Sequence, residues 1–220
     1  ITPHRQAENT LRESNREKEI LLREIHHRVK NNLQIISGLL DMTRMRTEDR
    51  ETNSILTDMM MKIKTMAQIH TRLYESRQFG MIDMAAQVRD QVADLSIIYG
   101  RSGAEITSEI ELQEIHVPAD QAIPFALIVN ESLSNAFKHA FRGRRYGNIS
   151  ISLVRNNGQV RISVRDNGVG LPEGMVFTRS NTLGLKLMRS LVQQLQGTLT
   201  INSDNGTEVI IEFPIHAEVV

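Results

Sequence analysis

The chain has 220 residues, with 26 Lys and Arg against 26 Asp and Glu, seven His and no Cys. Zero formal charge argues against a surface built to coat a nucleic-acid backbone, and the missing thiols exclude disulfides, thiolate metal sites and cysteine nucleophiles. No run approaches the ~20 apolar residues of a spanning helix and no basic-then-apolar leader is present, so we expect a cytoplasmic chain without a membrane segment. The first residue is Ile1 rather than Met, which leads us to expect a processed product or an excised piece.

Residues 1–20 are highly charged with sparse apolar positions and read as a helical linker. From Leu11 to about Leu73 there is no proline and one glycine, Gly38, the texture of long helices. Leu22, Ile25, Val29, Leu33, Ile36 and Leu40 step by three or four and form a stripe on one helix face. Ile55, Met59, Ile63, Met66, Ile69 and Leu73 repeat the pattern after the polar stretch Arg44 to Asn53. Residues 21–78 therefore read as a helical hairpin. A hairpin alone has too little core, so it is expected to pair with a second copy as a four-helix bundle, or to pack on the rest of the chain.

The texture changes in residues 79–220 to mixed α and β. A helix is expected over Met81 to Gly100, a strand over Ala104 to Leu112, and a long helix over Pro118 to Phe141. Strands Asn148 to Val154 and Val160 to Arg165 flank Asn156-Asn157-Gly158, a strong hairpin turn. A Gly/Pro loop, a helix from Leu183 to about Gln196, and strands Thr198 to Asn202 and Thr207 to Phe213 complete the order, with Asp204-Asn205-Gly206 between the last two. The fold class is α+β: a helical hairpin followed by an antiparallel-rich sheet with helices on one face.

Three segments carry chemistry. In Glu24-Ile25-His26-His27-Arg28-Val29-Lys30-Asn31-Asn32, a turn of about 100° per residue puts His27 roughly 160° from the centre of the apolar stripe and His26 only roughly 60° away. An exposed imidazole with an ordinary pKa of about 6.5 is mostly neutral at pH 7 and available as a nucleophile. In Asn130 to Ala140, spacing of four stacks Glu131, Asn135 and His139 on one helix face. A carboxylate, an amide and an imidazole there could hold a hydrated Mg²⁺ and the phosphates attached to it. In Asp166-Asn167-Gly168-Val169-Gly170, an acid at a strand end with glycines beside it could recognise a base amino group. Gly184 opens a helix whose free N–H groups suit an anion. Taken singly, these are also what a solvated histidine, a polar helix face and a tight turn look like.

Their order changes the reading. The chain from about Leu11 to Pro214 resembles the transmitter region of a two-component sensor histidine kinase, in the subgroup whose phosphoacceptor box reads H-R-x-K-N, continued here by Gln34 and Leu39-Leu40. The resemblance implies His27 as phosphoacceptor, an N-box from Glu131 to His139, glycine boxes at Asp166 to Gly170 and at Gly184-Leu185, and a last box at Gly206-Thr207. It further implies an ATP-binding sandwich of the gyrase and Hsp90 (Bergerat) type over 79–220. There Asn135 would coordinate Mg²⁺, Asp166 would accept from the adenine amino group, Lys138 and His139 would sit near the phosphates, and Leu171 to Thr182 would form a lid. Glu131 is the candidate catalytic base. Arg28 stands where the larger group places an acid after the acceptor, which makes Glu24, one turn earlier, the candidate for orienting or deprotonating His27. The chain has no Trp, which sets it beside the subgroup named for His, Trp and Glu. Residues 1–10 resemble the exit from a PAS-type sensor, and 75–80 offer a hinge. The implied activity is ATP-dependent autophosphorylation, followed by transfer to an Asp of a response-regulator receiver domain, in a homodimer or a monomer. The rivals are an ATPase or Ser/Thr kinase of the same fold, and a silent dimerising scaffold.

Overall fold

The proline-free stretch folds as a helical hairpin: α1 (Pro3–Arg46) and α2 (Arg50–Glu75) are joined by a break of only three residues. The turn falls inside the polar stretch Arg44 to Asn53, and α1 runs through residue 20 without a break between the expected linker and the hairpin. Asp49 sets the start of α2. Its Oδ2 accepts the Thr52 N–H at 2.8 Å and the Thr52 hydroxyl at 2.6 Å, supplying a partner for helix-end donors that would otherwise lack one. Asn53 ties the turn by donating through Nδ2 to the Thr47 carbonyl at 2.9 Å. This is a computed structural model, describing residues 3–75, 81–100, 104–171 and 182–215. The chain divides into two compact units, 1–77 and 78–220.

The second unit opens differently from the expectation of one helix from Met81. Met81–Asp83 is a short strand, β1, paired antiparallel with β3 (His116–Pro118), and α3 runs over Met84–Tyr99. The reason is local: Asp83 Oδ1 accepts the N–H groups of Ala85 and Ala86, so the helix begins after it. The main sheet has the order β2-β4-β5-β7-β6, from β2 (Glu105–Leu112), β4 (Tyr146–Asn156), β5 (Gln159–Asp166), β7 (Glu208–Pro214) and β6 (Thr198–Asn202). Only the β2–β4 pair is parallel; the other three pairings are antiparallel. Asn157 and Gly158 both have positive φ, 50° and 81°, which gives the β4–β5 turn the backbone twist that a two-residue hairpin favours.

Register decides which face is buried. Ile149, Ile151 and Leu153 pair with Asp166, Val164 and Ile162, and Val164, Ile162 and Val160 pair with Val209, Ile211 and Phe213. All of these side chains share one face, and all are buried. The opposite face carries Glu109, Ser150, Ser152, Arg161, Arg165 and Glu212. Helices α3, α4 (Ala119–Asn135) and α5 (Leu183–Gln194) supply the other half of the core, with Val88, Leu95, Phe125, Ile128, Leu133 and Met188 buried. Phe125 and Phe213 meet at 5.8 Å between ring centroids. Each such side chain contributes about 1.5–3 kcal/mol on burial, which is what fixes the α4 axis over the sheet. Beyond Asn135 the helix does not stop; it widens into a π-helical turn, Ala136–Ala140.

Candidate active site

The long helix expected over Pro118 to Phe141 therefore contains a change of pitch at the segment rich in chemistry. Single π turns inside helices recur at functional sites because they redirect side chains without ending the element. Glu131, Asn135 and His139, from α4 and this turn, line one cavity of about 440 Å³. Asp166, Gly170, Gly184, Leu185 and Thr207 line the same space. Its size lies within the range of small-molecule sites, roughly 300–1,000 Å³.

Asp166 ends β5 and is only 4% exposed. Its Oδ1 accepts the Gly168 N–H at 2.8 Å and the Thr207 N–H at 3.1 Å, and its own N–H donates to the Thr207 carbonyl at 2.9 Å. Burial is the largest influence on its acidity and raises the carboxyl above the ordinary aspartate range, against the lowering effect of these bonds and of the Arg144 charge. An acceptor held this firmly suits one fixed donor of a ligand. Gly168 is not on the cavity wall; a Cβ there would overlap the Ala140 carbonyl, so this glycine lets the loop lie against the π turn. The Val169 N–H donates to that carbonyl at 2.9 Å and seals the contact.

At the other end of the wall, Gly184 opens α5 directly over Glu131. A Cβ at Gly184 would overlap the Glu131 carboxylate, so the missing side chain is what lets an acid approach the start of the helix. Met188, one turn beyond Gly184, closes the floor, its sulfur 3.7 Å from the Ser132 hydroxyl oxygen, which also lies 2.9 Å from the Ile128 carbonyl oxygen. Among the described residues no cluster of three or more His, Asp or Glu could hold a metal alone. Mg²⁺ brought by a phosphate ligand would need only one or two protein oxygens, and the side-chain oxygens of Glu131 and Asn135 on the cavity wall are of the kind that could serve it.

Lys138 lies on the π turn, three residues beyond Asn135. It does not line the cavity, and its ammonium lies 5.6 Å above the Tyr99 ring, which itself stacks on Phe137 at 6.4 Å. The sequence reading also missed lining residues outside its motifs, among them Arg142, Met188, Ile201 and Val209. Leu171 and Thr182 reach the cavity, whereas the rest of the expected lid, 172–181, and most of the expected hinge, 76–80, lie outside the described residues. In the helical unit, His27 is exposed on α1, and the Arg28 Nε–H donates to Glu24 Oε1 at 2.8 Å.

Comparisons with known proteins locate these features in sequence space. A family model described as histidine kinase matches residues 24–99, and one described as histidine kinase-, DNA gyrase B- and Hsp90-like ATPase matches 120–217. The chain is 31% identical over 206 residues to the sensor histidine kinase PdtaS of Mycolicibacterium smegmatis, covering 90% of this chain and 40% of the relative. It is 29% identical over 205 residues to blue-light-activated histidine kinase 2 of Erythrobacter litoralis, covering 88% of this chain and 57% of the relative. The chain thus spans well under two thirds of the length of these relatives. Among solved structures, a blue-light activated histidine kinase of Erythrobacter litoralis superposes with a TM-score of 0.68 at 26% identity, over 89% of this chain and 59% of that one. Among the described residues, no helix is long and apolar enough to cross a membrane.

Proposed function

The chain belongs to the histidine kinase family, and from that membership we propose that it is the kinase core of a two-component sensor, phosphorylating itself on His27. The observation that carries the proposal is the cavity wall. A buried acceptor, Asp166, stands at one end, and Glu131, Asn135 and His139 follow one another along it. In this reading the adenine amino group donates to Asp166, and the phosphates run toward Asn135 and the start of α5. Mg²⁺, when bound, neutralises charge on the phosphate oxygens, with Asn135 and Glu131 as its protein ligands.

The chemistry asks for positioning and charge neutralisation more than for covalent help. A ring nitrogen of neutral His27 attacks the γ-phosphorus in line. The bond to the β,γ-bridging oxygen breaks, ADP leaves with the electron pair, and the ring gives up its remaining N–H proton. Glu24 is the carboxylate nearest in sequence that can orient the ring or take that proton, and it shares its Oε1 with Arg28. The phosphoryl group then passes to an Asp carboxylate of a receiver domain docked on the hairpin around His27. A second copy of the chain covers the apolar stripe of the hairpin.

One labelling experiment tests the proposal. With Mg²⁺ and γ-labelled ATP, the wild-type chain is expected to gain an acid-labile, base-stable label. His27→Ala removes the label and keeps ATP binding, whereas Asn135→Ala lowers the labelling rate by about a hundredfold or more. Undiminished label in His27→Ala sinks the acceptor assignment. Glu131 lies on the wall and is 9% exposed, which favours one specific rival, activation of water or of a hydroxyl nucleophile. Release of phosphate without protein label, or a label that survives acid, is the signature of that rival.

A further inference from the structure

Four polar side chains form a single stripe along the cavity wall. Glu131, Asn135, His139 and Arg142 line it in turn, spaced by four, four and three residues. The stripe has a direction. Glu131 lies under Gly184 at the start of α5, whereas Ala140, between the last two, contacts Gly168 and Val169, which follow Asp166. Arg142 is therefore at the Asp166 end. It is also the one Arg or Lys among the described residues that line the cavity, since Lys138 stands over Tyr99 instead.

Arg142 is bonded to its neighbour on the stripe. Its Nη2 lies 2.9 Å from His139 Nδ1. A guanidinium has donors and no acceptor and keeps its charge, so Nδ1 must be the acceptor. The His139 ring is then neutral, with its proton on Nε2. We infer that Arg142 is a nucleotide-contacting residue: its guanidinium holds the phosphate nearest the ribose, and the same group fixes His139 as a neutral Nε2–H donor.

The inference rests on the reading that this cavity takes an adenine nucleotide with the base at Asp166. Given that reading, charge and geometry agree. The two ionisable acids on the wall, Glu131 and Asp166, repel a polyanion, and Arg142 supplies the permanent opposite charge. A planar fork can keep one N–H on His139 while others meet phosphate oxygens, which the single ammonium of a lysine does poorly. Its place at the Asp166 end assigns it to the first phosphate rather than the last.

The test is a ligand ladder. Calorimetric titration of the whole chain with adenosine, AMP, ADP and ATP is expected to show a gain in affinity from adenosine to AMP. In Arg142→Met that gain falls by about five- to tenfold, the scale of one partly exposed charge-assisted bond, while adenosine binding is unchanged. Nitrogen NMR of the His139 ring adds a readout that a merely structural role would not move: one tautomer in wild type, a mixture in Arg142→Met. Arg142 is exposed, so the variant is expected to melt at the wild-type temperature. An equal loss for adenosine and AMP overturns the phosphate contact, and an unchanged tautomer overturns the positioning of His139. If the wild type binds the four ligands and the variant reproduces its ladder, the assignment of Arg142 fails alone. If the wild type binds none of them, the nucleotide reading fails and takes this inference with it.

Discussion

Burial raises the Asp166 carboxyl above the ordinary aspartate range. A folded-state value above the unfolded one means that the folded chain binds more protons across the interval between them. Stability therefore falls as pH rises from the ordinary aspartate range through the raised value, and the penalty for holding the charge is fully present above that value. Asp166→Asn removes that charge, and its carbonyl can still accept the Gly168 and Thr207 N–H groups. The variant is expected to melt at or above the wild-type temperature at pH 7, the difference shrinking as the pH is lowered through that interval. Adenine nucleotides should nevertheless bind it at least about tenfold more weakly, because an amide N–H₂ now faces the adenine amino group. Calorimetric melting across pH, with ATP titration at pH 7, measures both. At this scale the sequence was informative where chemistry coincided with spacing: Glu131, Asn135 and His139 share a helix face by arithmetic. It was silent on Arg142 and Met188, which follow His139 and Gly184 by three and four residues but bear on the site only once the π turn and α5 are placed around a common space.

Helix and strand ends show why local chemistry outranks pattern. Periodicity from Met81 onward suggested one helix, yet Asp83 caps it and releases three residues to pair with His116–Pro118. Asp49 acts likewise for α2. The Thr52 hydroxyl first, and then the Thr52 N–H, hold its carboxyl below the ordinary aspartate range. A lowered folded-state value gives stability that is present above the unfolded value and is lost as pH falls through the folded one. Asp49→Ala is thus expected to unfold the hairpin at lower denaturant at pH 7, with the gap to wild type closing in acid, whereas Asp49→Asn keeps the cap and loses the pH dependence. Denaturation followed by circular dichroism at several pH values checks this. An Ala variant with a gap that persists unchanged in acid would show that the carboxylate is not what holds the turn. The π turn was beyond sequence reasoning, because Ala136-Phe137-Lys138-His139-Ala140 has nothing that forbids an ordinary α turn.

For the molecule as a whole, the hairpin leaves apolar side chains open: Ile25 is 55% exposed, Ile36 45% and Leu39 58%. A water-facing stripe of this kind is the usual mark of an interface, and a second hairpin presents a matching one. Sedimentation of the wild-type chain is expected to give a dimer and of Ile36→Glu a monomer, since the charge would have to be desolvated in the seam. A monomeric wild type would end the four-helix-bundle reading. The ordered motifs carried a resemblance to the histidine kinases, and the sequence by itself determined the helical hairpin, the α+β order of the second unit and the exposed face of His27. These depend on periodicity and on residue type, which are properties of short stretches of chain. Only the tertiary structure decided that β2 lies parallel beside β4, that Lys138 stands over Tyr99 and off the cavity wall, and that Arg142 takes a place on it. Those outcomes depend on packing between segments far apart in sequence, where the direction of a side chain is set by what the whole core leaves free.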